Sequence, residues 1–248
     1  MFKLNSLISL DKSTLIQAIP SVITLGNLLL GFFSIILAIN GEYRWVVSLI
    51  IICMFLDFLD GKAARWLDVA SPFGKELDSL SDIVSFGVAP AVLTFMILPY
   101  HFYWVVLNLI LFLVCGACRL ARFNVEGKNQ NQFTGFPITT AGGLLALVSY
   151  YNNILPPVIL FTIIITLSIQ MVGCVPFSSL KGSNIQQSHY FKLLSLTFVF
   201  LSGVVSILYP FIMAIVLGIY YLSGPVLYFP IVYKKHSQHL LQLARLKF

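Results

Sequence analysis

Four aspartates interrupt otherwise apolar stretches of the chain: Asp57, Asp60, Asp78 and Asp82. The protein has only nine acidic residues in 248, so this concentration calls for a cause. A carboxylate at membrane depth costs several kcal/mol unless it is paired or binds a metal. Hydrogen bonding of an isolated buried acid would account for one such residue, but poorly for four. The four aspartates therefore predict one polar site inside an apolar protein.

The spacing of the acids predicts that they share a cavity. Within each pair the two acids are three or four residues apart, so they lie on one face of a helix. A tight turn around Ser71-Pro72 joins the two helices as antiparallel neighbours, which lets both pairs face each other. Oxygen-only sites suit hard divalent cations such as Mg2+ or Mn2+. Two such ions are a recurrent device for displacement at phosphorus.

Small and basic residues surround the acids in a pattern that fits a phosphate ligand. Gly61, Ala64 and Gly74 remove side-chain bulk beside the carboxylates, and Lys62 and Arg65 supply positive charge. Each feature by itself has a simpler explanation, because small residues let membrane helices pack closely and basic side chains snorkel towards the interface. Packing alone explains the combination poorly, which favours a phosphate-binding site.

The segment 57–82 carries these residues at fixed spacing and reads DFLDGKAARWLDVASPFGKELDSLSD. It matches the pattern D-x2-D-G-x2-A-R-x8-G-x3-D-x3-D at every fixed position, and the chain thereby resembles the CDP-alcohol phosphatidyltransferases. The resemblance implies an all-α membrane bundle with a six-helix core, usually a homodimer, and a site for two Mg2+ or Mn2+ ions. It also implies that an acceptor hydroxyl attacks CDP-diacylglycerol at the phosphorus that bears diacylglycerol, and that CMP leaves.

The resemblance further implies a role for each matched residue. Asp57, Asp60 and Asp78 would be metal ligands, and Asp82 would be both a ligand and the general base. As a base, Asp82 must lie within hydrogen-bond reach of the acceptor hydroxyl. The residues expected to line the CDP-diacylglycerol site are Gly61, Ala64, Arg65 and Gly74, with Lys62 at a variable position of the pattern.

Segments that flank the pattern indicate the acceptor alcohol. They resemble the membrane-embedded branch of the family that makes phosphatidylserine from L-serine. These segments are 20–31, 76–91, 116–124 and 133–143. The later part of the chain adds little to the resemblance, and its extra hydrophobic length affects the expected number of spans rather than the chemistry.

Three polar residues are candidates for binding the acceptor or a phosphate. Ser85 follows the second pair of acids, where small neighbours leave room for an acceptor, although close helix packing is an equal interpretation. Arg119 and Arg122 lie at the predicted cytoplasmic end of the fourth span. A guanidinium group suits a serine carboxylate or a lipid phosphate, but basic residues at this end of a span also occur for topological reasons.

Two of the polar residues in the first apolar run are candidates for nucleotide binding. Thr24 and Asn27 are three residues apart, and the resemblance suggests that this segment faces the nucleotide. Hydrogen bonding between helices is an equally good explanation, because polar side chains in membrane helices bond across helix interfaces.

The elements that position these residues must be membrane helices. Hydrophobic residues make up 58% of the chain and charged residues 10%, whereas a soluble domain carries about 25% charged residues. This composition excludes an ordinary soluble enzyme, a disordered chain and a nucleic-acid-binding module. The net charge of +6 fits membrane topology, because the basic residues lie between apolar runs.

Eight apolar runs approach the roughly 20 residues that a membrane helix requires. They cover approximately 20–40, 44–67, 73–98, 102–123, 137–151, 155–173, 191–208 and 210–232. The fifth run is short, and Pro156-Pro157 separates it from the sixth, so six or seven spans remain alternatives.

The distribution of charge predicts the orientation. With eight spans, every Lys and Arg except Arg44 falls on one side, which predicts that both termini face the cytoplasm. We expect an N-terminal cytoplasmic or interfacial segment (1–19), a transmembrane catalytic domain (20–232) and a basic cytoplasmic tail (233–248). The six-helix core would carry about two further C-terminal membrane helices. The expected location is the cytoplasmic membrane of a bacterium or archaeon, with the site facing the cytoplasm.

Two other functions would also account for buried carboxylates of this kind. The first is the same reaction with another acceptor, such as glycerol 3-phosphate, an inositol phosphate or choline. The second is a transporter or channel that uses the buried carboxylates. A transporter does not need the small and basic residues around its acids, and the second half of the chain contains no inverted repeat of the acids.

Overall fold

The computed structural model describes residues 12–98, 102–126, 133–152, 157–173 and 176–177, together with 211, 214–215 and 217–219 near the C-terminus. The helices are α1 (Lys12–Ile39), α2 (Tyr43–Trp66), α3 (Pro72–Asp82), α4 (Ala89–Ile97), α5 (Phe102–Glu126), α6 (Ile138–Tyr150) and α7 (Pro157–Val172). A π-helical turn, Ile83–Val88, joins α3 to α4. Helices thus dominate the described residues, and the predicted all-α class is confirmed.

A pair of very short strands ties two loops together. β1 (Phe133–Thr134) precedes α6 and β2 (Pro176–Phe177) follows α7, and the two strands are antiparallel. Next to them, the backbone N–H of Phe136 donates to the carbonyl of Gln170 over 3.0 Å. These bonds hold the start of α6 against the end of α7.

The first six predicted spans correspond to six helical units, because the α3–π–α4 segment forms one of them. Three units are long and apolar enough to cross a membrane: Ala18–Ile39, Pro72–Ile97 and Tyr103–Val125. The helices α6 and α7 are apolar but shorter, and α2 has 24 residues but carries charges in its last turns. The seventh and eighth predicted spans lie outside the described residues, apart from a few isolated positions in the eighth.

The helix α1 begins at Lys12 and continues through Pro20. The last residues of the predicted segment 1–19 are therefore the first turns of the helix that continues into the first span. Their position relative to a membrane stays a prediction.

Hydrogen-bonded corners connect the first three helices. After α1, the N–H of Glu42 donates to the carbonyl of Leu37 (3.0 Å), and Gly41 supplies the left-handed conformation that this ending requires, with φ of 82°. After α2, the N–H of Val69 donates to the carbonyl of Ala64 (3.0 Å), and Asp68 occupies the left-handed position with φ of 53°. Both corners reverse the chain within a few residues, so α1, α2 and α3 run alternately up and down.

The start of α3 is specified by its own sequence. Ser71 has an extended backbone, and its hydroxyl accepts a 3.0 Å hydrogen bond from the N–H of Gly74. Pro72 occupies the first helical position, where its missing N–H costs nothing. The predicted turn around Ser71-Pro72 is therefore confirmed, with α3 beginning immediately after it.

The π-helical turn follows from a proline. Pro90 has no N–H to donate to the carbonyl of Phe86 four residues earlier, so the regular α-helical bonding cannot continue through this point. The helix α6 approaches closely here, because a methyl group added to Gly142 would overlap the backbone of Phe86. Such turns widen a helix locally and occur frequently at functional sites.

The interior and the periphery of the bundle are both apolar. Large side chains such as Phe86, Phe112 and Phe136 are completely buried between the helices. On the outside, Leu29 is 66% exposed and Trp104 is also 66% exposed. Apolar side chains on the periphery, combined with helices of spanning length, fit a lipid environment.

Candidate active site

The structure brings three of the predicted aspartates together. Asp57 and Asp60 lie in the second half of α2, and Asp78 faces them from α3; one carboxylate oxygen of each lies within 4.8 Å of the others. Asp57 is nine residues from the end of α2, which corresponds to about 14 Å along the axis. The turn at Ser71-Pro72 reverses the chain between α2 and α3, which is why the two helices can share this cluster.

Asp82 lies one turn further along α3 and outside this group of three. Its side chain is 6% exposed, and its Oδ1 atom has no hydrogen-bond partner among the described residues. It remains close enough to interact electrostatically with Asp57, Asp60 and Asp78. A buried carboxylate oxygen that lacks a partner is available to a ligand or to a proton.

Two arginines compensate part of the negative charge. Arg119 on α5 is 9% exposed, and its positive charge acts on Asp57 and Asp82. Arg65 on α2 acts on Asp60 from the exposed end of the site. Its guanidinium group lies beside Gly61, where an added methyl group would come within 3.5 Å of a guanidinium nitrogen. Gly61 and Arg65 are therefore adjacent on α2, at an ordinary van der Waals distance.

Two threonines donate hydrogen bonds to the aspartates of α2. Thr24 of α1 donates to Oδ2 of Asp60 over 2.8 Å in a buried environment. Thr139 of α6 donates to Oδ2 of Asp57 over 3.2 Å. Thr24 thus makes the hydrogen bond between helices that was the alternative to a nucleotide contact. Thr139 was not singled out from the sequence, although a threonine just after Pro137 at the start of a predicted span was a usable signal.

The donor set fits a hard divalent cation. Two unit charges 4.8 Å apart repel each other by about 3–4 kcal/mol at an effective dielectric constant of about 20, so three clustered carboxylates need more positive charge than two arginines supply. All of the candidate ligand atoms are carboxylate oxygens, which Mg2+ and Mn2+ prefer. The cluster is therefore compatible with metal binding.

The remaining residues predicted for the CDP-diacylglycerol site surround the same end of α2 and α3. Ala64 is half-buried on α2. At the start of α3, the backbone N–H of Gly74 donates a hydrogen bond to the hydroxyl of Ser71. The ammonium group of Lys62 lies 4.5 Å from the ring centre of Phe58 and 5.5 Å from that of Trp66. These rings lie on the opposite side of α2 from the aspartates, because residues 58, 62 and 66 share one helix face.

Asn27 and Ser85 meet in the interior. The hydroxyl of Ser85, in the π-helical turn, donates to the backbone carbonyl of Asn27 over 3.1 Å, and both residues are completely buried. The side-chain amide of Asn27 has no hydrogen-bond partner among the described residues. The predicted roles of the two residues, in nucleotide and acceptor binding, stay predictions.

The two arginines of α5 have different surroundings. Arg119 faces the carboxylates, whereas Arg122 donates to the carbonyl of Val172 at the end of α7 over 2.9 Å. Arg122 also lies beside Gly135, which has φ of 88° in the loop before α6. The contacts of Arg122 connect α5 to α7, and its predicted role in anion binding stays a prediction.

Contacts between α3 and α5 were not predicted from the sequence. The ammonium group of Lys75 donates to the carbonyls of Phe123 (3.2 Å) and Asn124 (2.9 Å) in the last turn of α5. The amide of Asn124 in turn donates to Glu76 and Ser79 of α3, each over 3.0 Å. Basic side chains commonly satisfy the last carbonyls of a helix, but the helix that Lys75 would reach could not be read from spacing.

Similarity to known proteins agrees with this geometry. The family described as CDP-alcohol phosphatidyltransferase matches residues 17–174, which include most of α1 and all of α2 to α7. A CDP-diacylglycerol–serine O-phosphatidyltransferase of Bacillus subtilis (strain 168) is 37% identical over 164 residues, 66% of this chain and 91% of the relative.

Two archaeal relatives extend the comparison. An archaetidylserine synthase of Methanothermobacter thermautotrophicus is 33% identical over 177 residues, 69% of this chain and 74% of the relative. A CDP-diacylglycerol–serine O-phosphatidyltransferase of Methanocaldococcus jannaschii is 42% identical over 130 residues, 52% of this chain and 59% of the relative. The family match covers well over half of the chain and includes every aspartate of the site, so the chain belongs to the CDP-alcohol phosphatidyltransferase family.

Proposed function

We propose that this integral membrane protein transfers the phosphatidyl group of CDP-diacylglycerol to the hydroxyl of L-serine, which gives phosphatidylserine and CMP. Membership of the family supports the reaction class. The names of the similar proteins from Bacillus subtilis and Methanothermobacter thermautotrophicus support serine as the acceptor. The observation that carries the proposal is the cluster of Asp57, Asp60 and Asp78, whose oxygens lie within 4.8 Å of one another at the motif positions.

The proposed metal ligands are Asp57, Asp60, Asp78 and Asp82, and the proposed cofactor is two ions of Mg2+ or Mn2+. Four ionised carboxylates and the two arginines that act on them leave a net charge of −2. Two divalent cations change this to +2, which complements the two negative charges of a diphosphate diester. When bound, such ions neutralise the diphosphate and the charge that develops on the departing CMP.

Asp82 is the proposed general base. The serine hydroxyl oxygen forms a bond to the phosphorus that carries diacylglycerol, and the bond from this phosphorus to the CMP oxygen breaks. The hydroxyl proton passes to a carboxylate oxygen of Asp82 and then to solvent. Burial of this side chain and the open hydrogen-bonding capacity of its Oδ1 support the assignment.

Substrate positioning is assigned to the residues around the carboxylates. Arg65 pairs with the diphosphate, and the small residues beside it let the nucleotide approach the helices. The other residues proposed for the CDP-diacylglycerol site are Gly61, Ala64, Gly74 and Asn27. Of the remaining two residues predicted for it, Lys62 lies on the opposite side of α2 from the aspartates and Thr24 bonds Asp60. Arg119 is assigned to the serine carboxylate or a lipid phosphate, and its burial and its electrostatic effect on Asp82 support this role. Ser85 and Arg122 are assigned to the acceptor or a phosphate from the sequence alone.

The proposal also covers which side of the membrane the site faces, which membrane holds the protein, and its oligomeric state. The site faces the cytoplasm, because the end of the bundle that holds the aspartates also carries Lys62, Arg65, Lys75 and Arg119, whereas Arg44 lies at the opposite end of α2. Basic residues near span ends favour the cytoplasmic side. The proposed location is a bacterial or archaeal cytoplasmic membrane. A homodimer is proposed from the family resemblance, and the mass of the purified protein in detergent tests it.

The decisive experiment is an acceptor assay. The purified protein is incubated with CDP-diacylglycerol, Mn2+ or Mg2+, and L-serine, glycerol 3-phosphate, inositol phosphate or choline in separate reactions, and CMP and the lipid product are measured. We expect CMP release that depends on serine and yields phosphatidylserine. An Asp78→Asn variant serves as the blank. CMP release that depends on another alcohol would overturn the assignment of serine as the acceptor. Absence of phosphatidyl transfer to all four alcohols would overturn the proposed reaction.

A further inference from the structure

We propose that Thr24 and Thr139 are positioning residues that hold the carboxylates of Asp60 and Asp57 ready to bind the cations. The inference rests on the proposed function, because it assigns these threonines to the metal site of that reaction. It assigns Thr24 a role other than the nucleotide contact that was one of its two interpretations, and gives a role to Thr139, which had none.

The hydrogen bonds have a common arrangement. Each threonine comes from a helix that contributes no aspartate to the site, and each donates to the Oδ2 atom of one aspartate on α2, over 2.8 Å for Asp60 and 3.2 Å for Asp57. Each bond uses one of the roughly four lone-pair sites of its carboxylate, so sites remain for a cation while the carboxylate is held. A hydrogen bond that fixes a ligand in this way also limits the rotation of its carboxylate group.

The direction of the bonds follows from the ionisation that metal binding requires. A metal-bound carboxylate has no proton and can only accept, so both hydroxyl groups must donate. Thr24 Oγ1 also lies 3.0 Å from the carbonyl of Pro20 in its own helix, and one hydroxyl has one proton to share between two acceptors. A hydrogen bond to a charged oxygen is stronger than one to a neutral carbonyl. The Thr24 hydroxyl therefore donates to Asp60 rather than to Pro20 when Asp60 is ionised.

Each threonine is itself held by its surroundings. Thr24 is 3% exposed, and its backbone carbonyl accepts a 3.2 Å bond from Ser81 of α3. Thr139 is the second residue of α6, so Asp57 lies near the positive end of that helix dipole, which favours a carboxylate. A β-branched side chain has few χ1 rotamers, so the backbone positions of α1 and α6 set the directions of the two bonds.

The test compares threonine with valine, which has the same shape and lacks the hydroxyl. Thr24→Val and Thr139→Val each remove one bond, and Thr24→Ser and Thr139→Ser retain it. Thr94→Val is the matched control. Thr94 is a buried threonine of α4 that bonds the carbonyl of Pro90 (2.8 Å) and the hydroxyl of Ser149 (2.7 Å).

Binding of Mn2+ alone is the readout, measured by electron paramagnetic resonance of the free ion with the purified protein in detergent and without either substrate. Loss of an outer partner of a metal ligand typically costs 10–100-fold in affinity, so we expect each valine variant to bind Mn2+ about 10–100-fold more weakly. The serine variants and Thr94→Val should stay within about threefold of the original protein. In parallel assays, saturating Mn2+ should restore most of the turnover of the valine variants.

The outcomes separate this inference from the proposed function. If the valine variants bind Mn2+ as tightly as the original protein, or no more weakly than Thr94→Val, the threonines do not position the ligands. If the serine variants lose as much affinity as the valine variants, the hydroxyl groups are not responsible. If the original protein binds no Mn2+ at all, the metal site of the proposed function fails as well. A valine variant that unfolds is replaced by the alanine variant at the same position.

Discussion

The carboxylates of Asp57, Asp60 and Asp78 repel one another in an environment that solvates them poorly. Hydrogen bonds from two threonines and the charges of two arginines offset this repulsion only in part. Each carboxylate therefore contributes strongly to the binding of a cation at this site. Removing the charge of a single aspartate should therefore reduce metal binding and activity far more here than at an exposed aspartate.

The first prediction concerns these ligands. Asp57→Asn and Asp78→Asn keep the size of the side chain but replace an anionic oxygen with a weaker neutral ligand. We expect each to reduce CMP release by about 100-fold or more, and to weaken Mn2+ binding in parallel. The matched control is Asp68→Asn, an exposed aspartate at the end of α2 whose left-handed conformation asparagine also adopts readily. Near-normal Mn2+ binding by both ligand variants would place the metal elsewhere.

The second prediction separates the base from the ligands. Asp82→Asn removes the proton acceptor while three clustered carboxylates remain. We expect turnover to fall by about 10²–10⁴-fold, which is typical of losing a general base. Binding of CDP-diacylglycerol should fall less than in Asp57→Asn. Single-turnover CMP release and donor binding, both at saturating Mn2+ and serine, provide the comparison.

Either of two results would contradict the assignment of Asp82. Normal binding of donor and metal together with near-normal transfer would mean that another group takes the proton. Combined loss of donor and metal binding would mean that Asp82 acts mainly as a ligand. Measuring Mn2+ occupancy in the same sample distinguishes these two cases.

At the scale of elements, close helix contacts set the geometry of the site. The helix α1 packs against the π-helical turn at Gly31, where an added Cβ would lie 2.9 Å from the Cβ of Ser85 and 2.8 Å from its Cα. Gly26, on the same helix, has no atom within 4 Å of the corresponding position. These two glycines provide a matched test of helix approach.

The third prediction uses this pair. Gly31→Ala forces α1 away from Ser85, and overpacking of this kind costs about 1–3 kcal/mol. Gly26→Ala gains helix propensity and meets no neighbour, so it should be neutral or stabilising by up to about 1 kcal/mol. Thermal unfolding in detergent measures both, and Gly31→Ala should also lower turnover. Equal melting temperatures for the two variants would mean that α1 and the π-helical turn do not pack as described.

Sequence patterns predicted much of this architecture, for identifiable reasons. Long apolar runs bounded by turn residues locate helices well, which is why the first six units could be placed. The i,i+3 and i,i+4 spacing placed each pair of aspartates on one helix face, and the short turn after Trp66 placed the two faces together. These are local properties, and local sequence is sufficient to specify them.

The interactions that were not predicted join residues far apart in the chain. Thr139 reaches Asp57 across 82 positions, and Lys75 reaches Asn124 across 49. Such contacts depend on how each helix is rotated about its axis and how deeply it is inserted, and spacing along one helix specifies neither. The π-helical turn was also missed, although Pro90 within an apolar run was a usable sign of irregular helix geometry.

At the scale of the whole molecule, the proposed active site is also a structural element, because it joins α2 and α3 and contacts α1, α5 and α6. The fourth prediction is that chelation with EDTA abolishes activity and lowers the unfolding temperature, and that Mn2+ or Mg2+ restores both. A ligand present at 100 times its Kd stabilises a protein by about 2.7 kcal/mol. Calorimetry in detergent measures the shift.

Two controls, the protein with Ca2+ and the Asp78→Asn variant, test whether the stabilisation comes from a cation bound by this cluster. Ca2+ should stabilise the protein less than Mn2+ does, because it prefers longer bonds and more ligands than this cluster offers. The Asp78→Asn variant should show little response to EDTA or to added Mn2+. Full activity after thorough chelation, or the same shift in the variant, would contradict metal binding by this cluster.

The bond between Thr139 and Asp57 has a consequence for biosynthesis. The two residues are 82 positions apart, and translation proceeds at about 5–20 residues per second, so Thr139 is made roughly 4–16 s after Asp57. During this interval the hydrogen bond that Asp57 accepts from Thr139 cannot form. A chain that stops before α6 would leave the carboxylate of Asp57 without one of the donors that stabilise its charge, and an unsatisfied buried carboxylate is costly.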